Sequence, residues 1–492
     1  MRTVGRLPLS HPRAADRLRH GIVAGAPASV ALAALLAFAP LAQAADGTYV
    51  TGWGSGGRML LRLGTFGDVA STIAVQRDGK LLLAGQCGTS TSRNTLCAGR
   101  LRGDGQFDLG FGPNETGRIL LDSVPDLASF DSTLGLHGLA LQADGRAILG
   151  GRWVCGNWAG CNAGVLVRLD TSGIAEPNPN SQYGVQYAYN ARYTFNTVDA
   201  VAVAPDGRIV AAGCTVRAGS DPPNYDFGIA RFNADLSPDT SFGSGGSRVG
   251  AFDIGGDYYD CATALVVLPG RNLVAAGTAR GIDGRLKAAL LKLDANGAAD
   301  AGFGNNGRAW FDGLRFSPGN IAINAIALDR RGRLVVAGAR QIWDGSDEDF
   351  FVARLDAATG ALDPGFGSGG LVSIAFDLAS PFKDAAYDVL VQGDGGILVA
   401  GRATASGSTT VFALARLDDS GNLDTGFGNG GRSVGTYSPP VQTSAQMDEG
   451  RSIALGSGGL FVAGLGREQG GGLRFGVAKL QLDAIFTDGF ER

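Results

Sequence analysis

An imidazole, a carboxylate, a carboxamide and a phenol stand at one recurring register of this chain. Seven residues before a turn that repeats along the sequence lie Ser71, His137, Asp199, Thr263, Asn324, Tyr387 and Gly450. If the strands that carry them converge, these side chains surround one mouth of a central channel. A varied polar set at a converging position is what a small-ligand site requires. His137, Asp199, Asn324 and Tyr387 are the first candidates; seven unrelated strand-start residues facing solvent are the plainer reading. A second candidate is the stretch from Tyr183 to Tyr193, where Tyr187, Tyr189 and Arg192 combine aromatic rings with a guanidinium. Such residues favour glycan or protein contact, because rigid rings cover area at low entropic cost.

Clustered carboxylates offer a third possibility, Ca²⁺. The groups are Asp253, Asp257 and Asp260, and separately Asp344, Asp347, Glu348 and Asp349. Neither has the spacing of an EF-hand, and solvated loop acids are the plainer reading. Asp349 also matches Asp226 in another copy, which suggests a strand-start role. Further aspartates recur where a short strand ends, at Asp122, Asp253, Asp312 and Asp377.

Whatever recurs in every copy is explained by building the copy. Arg100, Arg168, Arg231, Lys292, Arg354, Arg416 and Lys479 recur before one turn, and Asp108, Asp239, Asp300, Asp363 and Asp424 recur before an aromatic. As chemistry these are acid–base pairs. As structure, the aspartate caps a turn and the basic side chain pairs or snorkels at a sheet edge; the structural reading is preferred.

The elements that carry these residues follow from an internal repeat. The hairpin Asp78-Gly-Lys-Leu-Leu-Leu-Ala-Gly85 returns as Asp144–Gly151, Asp206–Gly213, Gly270–Gly277, Arg331–Gly338, Asp394–Gly401 and Ser457–Gly464. Its last glycines are 66, 62, 64, 61, 63 and 63 residues apart. Before the turn, runs such as Ala200–Val203 have the two-residue period of a strand. After it, runs such as Ile209–Ala212 are apolar throughout, as in a strand covered on both faces. Asp-Gly suits a tight hairpin in which both central residues take positive φ. With Gly228–Phe232 and a last short strand, each copy has four strands. Seven copies fill residues 45–492 as one domain, and the fold expected is all-β: a seven-bladed β-propeller of four-stranded antiparallel blades. A solenoid is the alternative, but it needs atypical capping copies. Phe111, Tyr183, Phe242, Phe303, Phe366 and Phe427 precede a recurrent glycine, and Trp53 and Phe490 both match them. Eight aromatics thus compete for seven positions, so one terminus fills the closing one.

The element Arg416-Leu-Asp-Asp-Ser-Gly-Asn-Leu-Asp-Thr-Gly-Phe-Gly-Asn-Gly-Gly431, together with the Asp-Gly-Arg…Ala-Gly hairpin, resembles the delta-60 repeat of exported bacterial proteins. The resemblance covers residues 50–490 and implies architecture and export, with no single chemistry. The second copy departs most: Tyr183-Gly184 replaces Phe-Gly, the spacer from Arg168 is longer and the aspartate is absent. The tail Ile485–Glu491 resembles a short C-terminal tail of some secreted bacterial proteins; a truncated eighth aromatic element is the alternative.

Export is also legible at the N-terminus. Arg2, Arg6, Arg13, Arg17 and Arg19 precede an apolar run, Ile22–Leu41, that ends in Ala42-Gln43-Ala44. This is the pattern of a signal peptide over residues 1–44. An uncleaved anchor is the alternative, weakened by Gly25, Pro27 and Pro40. Residues 45–492 then carry 37 basic and 45 acidic residues and one histidine, His137. The single histidine excludes zinc sites with several imidazoles, and the negative charge argues against nucleic acid. The six cysteines suit an oxidising compartment, paired as Cys87–Cys97, Cys155–Cys161 and Cys214–Cys261.

Two classes of function fit. One is an exported, non-catalytic propeller, a monomer without a membrane span, whose rim binds a protein or glycan. The other is a carboxylate- or Ca-dependent hydrolase, lactonase or lyase at the channel mouth. A serine hydrolase using His137 lacks the G-x-S-x-G elbow.

Overall fold

The hairpin turns are the first point where structure refines sequence. In the computed structural model only the glycine of each Asp-Gly pair has positive φ, at +80° for Gly79, +90° for Gly145 and +82° for Gly207. The aspartate stays out of that region and acts as a cap. Its Oδ1 accepts the N–H two residues on, from Lys80 at 3.1 Å, Arg146 at 3.0 Å and Arg208 at 3.2 Å. One left-handed glycine and one side-chain cap replace the expected pair of left-handed residues.

The structure describes residues 46–90, 93–121, 132–155, 162–177, 185–187, 197–216, 224–312, 319–342, 345, 347–438, 446–468 and 471–482. The segment read as a signal peptide, Tyr189, Arg192, Phe490 and the Cys161 partner of the Cys155 pair lie outside them. The described residues belong to one compact unit, Ala44–Arg492.

They form an all-β propeller, but the expectation of seven separate four-stranded blades is corrected. The strands make five sheets, three of four strands and two of eight. Each eight-stranded sheet forms where a first strand starts early. Ser132–Leu141 and Gly255–Val267 reach back to the third strand of the preceding copy and join it by one parallel pair each, Asn94↔Thr133 and Tyr225↔Tyr259. The extensions lie in the segments that do not repeat, so the period carries no sign of them.

Successive first strands touch around the unit, and Glu449–Gly456 returns to Asp68–Val75. The N-terminal strand Arg58–Leu61 completes the last sheet by pairing antiparallel with Leu473–Leu480. Trp53 fills the closing aromatic position. It is 3% exposed, packs edge-on to Phe461 with centroids 5.7 Å apart, and donates from Nε1 to Gly103 O at 3.2 Å.

The recurrent basic, acidic and aromatic residues form a lock in the copies of Arg100, Arg231, Lys292 and Arg354. Arg100 pairs with Asp108 at 2.7 Å, lies 4.7 Å over the Phe111 ring and donates to Thr171 O of the next copy at 2.6 Å. Arg231, Asp239 and Phe242 repeat this, as do Arg354, Asp363 and Phe366. In the second copy Glu176 stands in for the missing aspartate, 2.5 Å from Arg168. Apolar clusters lie between successive copies; one joins Leu82, Leu96 and Phe111 to Leu149, Val165 and Val167. The basic–acidic pairs are therefore assembly, as the repeat argues.

Candidate functional site

Each first strand carries a β-bulge at one register. Ser71 is the extra residue between the pairs Ala70↔Gly85 and Thr72↔Ala84, and His137 between Leu136↔Gly151 and Gly138↔Gly150. Thr263, Asn324 and Tyr387 occupy the same place in theirs. Asp199 takes it just ahead of Ala200–Val203, its N–H bonded to Ala212 O at 2.9 Å. In the last copy Gly450 is corrected to Arg451. The turn there is one residue shorter, with Gly456 paired to Gly459, so counting back from it slips by one. A bulge leaves its residue out of the ladder and re-aims its side chain. It also pushes the preceding carbonyl inward: a Cβ on Gly85, Gly213 or Gly401 would collide with Val69 O, Thr197 O or Ala385 O. The recurrent glycine exists to admit the bulge.

His137 is exposed, and Ser71, Asp199, Thr263, Asn324, Tyr387 and Arg451 are half-buried. They reach toward the next copy. His137 Nδ1 lies 3.8 Å from Asp199 Oδ1. Thr263 Oγ1 donates to Ile323 O at 2.5 Å, and Asn324 Nδ2 donates to Ala386 O at 2.7 Å. His137 thus meets Asp199, and Asn324 abuts the Tyr387 bulge; no hydrogen bond or ion pair joins the two couples among the described residues. The Thr197 hydroxyl bonds to Asp199 and itself accepts from Cys214 N–H at 3.0 Å. Burial raises the Asp199 carboxyl above its usual range, with His137 drawing it back.

A second polar group surrounds Tyr387. Glu449 accepts from Arg402 at 3.3 Å through Oε1, and from Arg451 at 3.1 and 3.0 Å through Oε2. Burial, with Glu449 nearby, pushes the Tyr387 phenol up to about 12, against the pull of Arg402 and Arg451. Burial also raises the Glu348 carboxyl. Sequence reasoning missed Arg402, Glu449 and Arg451. One signal was available: the residue after the recurrent glycine (Gln86, Arg152, Cys214, Thr278, Ala339, Arg402, Leu465) varies as the bulge residue does.

The carboxylate clusters divide. Asp260 is buried and caps the incoming loop, accepting from Phe252 N–H at 2.9 Å and Arg280 N–H at 3.4 Å. Asp68 and Asp384 do the same for Leu63 and Gly64, and for Phe376 and Asp377. The side chain of Asp257 and all of Asp344 lie outside the described residues. Asp347 and Asp349 are joined by Asp377, their oxygens within 4.8 Å of one another. Three such carboxylates are a donor set suited to a hard cation, although Asp349 already binds Ser373 Oγ at 2.9 Å and Arg340 at 3.5 Å. Tyr187 pairs with Val165 in a short strand; its side chain lies outside what is described. The predicted disulfides Cys87–Cys97 and Cys214–Cys261 are formed.

A search of curated proteins returns no match. Among solved structures, a protein of unknown function from Dyadobacter fermentans is 11% identical over 71% of this chain and 95% of its own, with a TM-score of 0.40. A gluconolactonase from Xanthomonas campestris is 13% identical, covering 71% and 90%, with a TM-score of 0.32. NanB sialidase from Streptococcus pneumoniae is 9% identical, covering 85% and 68%, with a TM-score of 0.39. At these values none bears on what this chain binds or does. Residues 204–242, 332–366 and 392–427 each match the family model described as Domain of unknown function (DUF5122) beta-propeller. Those segments run from a hairpin turn to the aromatics Phe242, Phe366 and Phe427, the repeat element itself, and support a β-propeller family of unknown function.

Proposed function

We propose that this chain is an exported, non-catalytic propeller that binds a protein or glycan at the mouth where the first strands converge. The observation that carries this reading is the bulge. It recurs at one register while its residue does not; Thr263 and Asn324 spend their side chains on the next copy, and those of Tyr387 and the exposed His137 are left to be chosen by a ligand. The contact of His137 with Asp199 across two copies supports it. The neutral Tyr387 phenol, held to about 12, suits a hydrogen-bond donor better than a base. Formed disulfides and the delta-60 resemblance support export; among the described residues no helix is long and apolar enough to cross a membrane.

His137 is the only histidine of Ala44–Arg492. Its imidazole resonances in the ¹⁵N-labelled unit should shift on adding a bound glycan or partner ectodomain. Ligands that bind while those resonances stay fixed, and His137→Ala variants that bind unchanged, would place the site elsewhere and end this reading.

A further inference from the structure

Three copies converge on Tyr387 and leave hydrogen-bonding capacity unused there. Tyr387 and Arg402 come from one copy, Glu348 from the copy before, and Glu449 and Arg451 from the copy after. The Tyr387 hydroxyl and the Glu348 carboxylate have no hydrogen-bond or ion-pair partner among the described residues. Arg402 Nε is shut off from water and also lacks one. The Tyr387 hydroxyl and the Glu348 carboxylate are reachable and unspent, so a hydroxyl and an acceptor beside the Arg402 guanidinium mark a place where a ligand supplies the partners.

Charge narrows the class. Glu449 already takes both guanidinium groups, Arg402 at 3.3 Å and Arg451 at 3.0 Å. Lys383 and Asp384 also flank Glu348, so three cations, Lys383, Arg402 and Arg451, balance three acids, Glu348, Asp384 and Glu449. No net positive charge is left for an acidic ligand, and the open carboxylate of Glu348 would repel one. An alternation of donors and acceptors beside a half-buried phenol ring matches a row of hydroxyl groups on an apolar ring face.

We propose that Glu348, Tyr387 and Arg402, held by Glu449 and Arg451, form a subsite for a neutral polyhydroxylated ligand, a hexose unit of a glycan. This rests on the mouth-binding reading above and deepens it.

The test is calorimetric titration of the purified protein, produced from the full chain, with maltotriose, cellotriose and chitotriose, against trigalacturonate and 3′-sialyllactose. At least one neutral trisaccharide should bind more tightly than both acidic probes. Tyr387→Phe keeps the ring and Glu348→Gln keeps an acceptor, and each should weaken that binding by about three- to tenfold, the weight of one hydrogen bond. The second variant serves if the first fails to fold. Tighter binding of the acidic probes, binding that neither variant alters, or binding of none of the neutral sugars would each overturn the subsite. The His137 resonances decide separately whether the mouth reading survives such a result.

Discussion

Gly401→Ala tests the bulge on which the candidate site depends. Gly401 faces Ala386 in the ladder one step before the bulged Tyr387. A Cβ there would collide with Ala385 O and approach Phe350 Cζ to 2.6 Å. The phenyl ring can turn aside; the carbonyl cannot move without parting the first strand from the second. Losing two ladder hydrogen bonds costs about 1 kcal/mol each, and overpacking a filled core adds about 1–3 kcal/mol, so the loss is about 3–5 kcal/mol. With a urea dependence of about 3 kcal/mol per molar, the midpoint should fall by about 1 M or more. Gly103→Ala is the control, since a Cβ there meets nothing within 4 Å; it should stay within about 0.5 kcal/mol of wild type. Equilibrium unfolding followed by circular dichroism measures both. A Gly401→Ala variant within about 1 kcal/mol of wild type would mean that the glycine is not there to admit the bulge, and the account of why Tyr387 leaves the ladder would fall with it.

Two further outcomes follow from buried charge. Arg354→Met should destabilise by about 3 kcal/mol, because it removes a charge-assisted bond to Asp419 O and a ring contact while Arg333, 3.2 Å from Asp363, keeps that acid paired; Arg354→Lys should cost less than half as much, since Lys292 serves the same place in its own copy, and thermal or urea melts compare the two. Burial lifts the Asp448 carboxyl from an ordinary 3.8 to about 6, so the folded chain holds this proton more tightly than the unfolded one. Stability from this group is then greatest below about pH 4 and is lost as pH rises toward 6, by up to about 3 kcal/mol. Asp448→Asn should abolish that slope, and melts from pH 4 to 7 with the same slope in both proteins would refute the assignment.

The repeat unit, its strand order and the Cys87–Cys97 disulfide were legible because each is local or recurs: a two-residue alternation, a turn glycine, cysteines flanking adjacent strands; Cys214–Cys261, 47 residues apart and in two copies, was paired only by elimination. The lock was legible for the same reason, down to the acid at a fixed offset, although Glu176 shows that the position tolerates a longer carboxylate. The register of Ser71, His137, Asp199, Thr263, Asn324 and Tyr387 could be counted from the turn, and it failed at Gly450, where a loop one residue shorter moves the bulge to Arg451.

Sequence alone thus determined that the chain is built of similar β units and which side chains those units consume. Tertiary structure alone decided that the units share five sheets, because the early starts of Ser132–Leu141 and Gly255–Val267 gain partners only from a neighbouring copy. It alone brought Glu348, Arg402 and Glu449 around Tyr387. Residues from three copies meet there through packing between units, and a period along the chain carries no record of contacts across it.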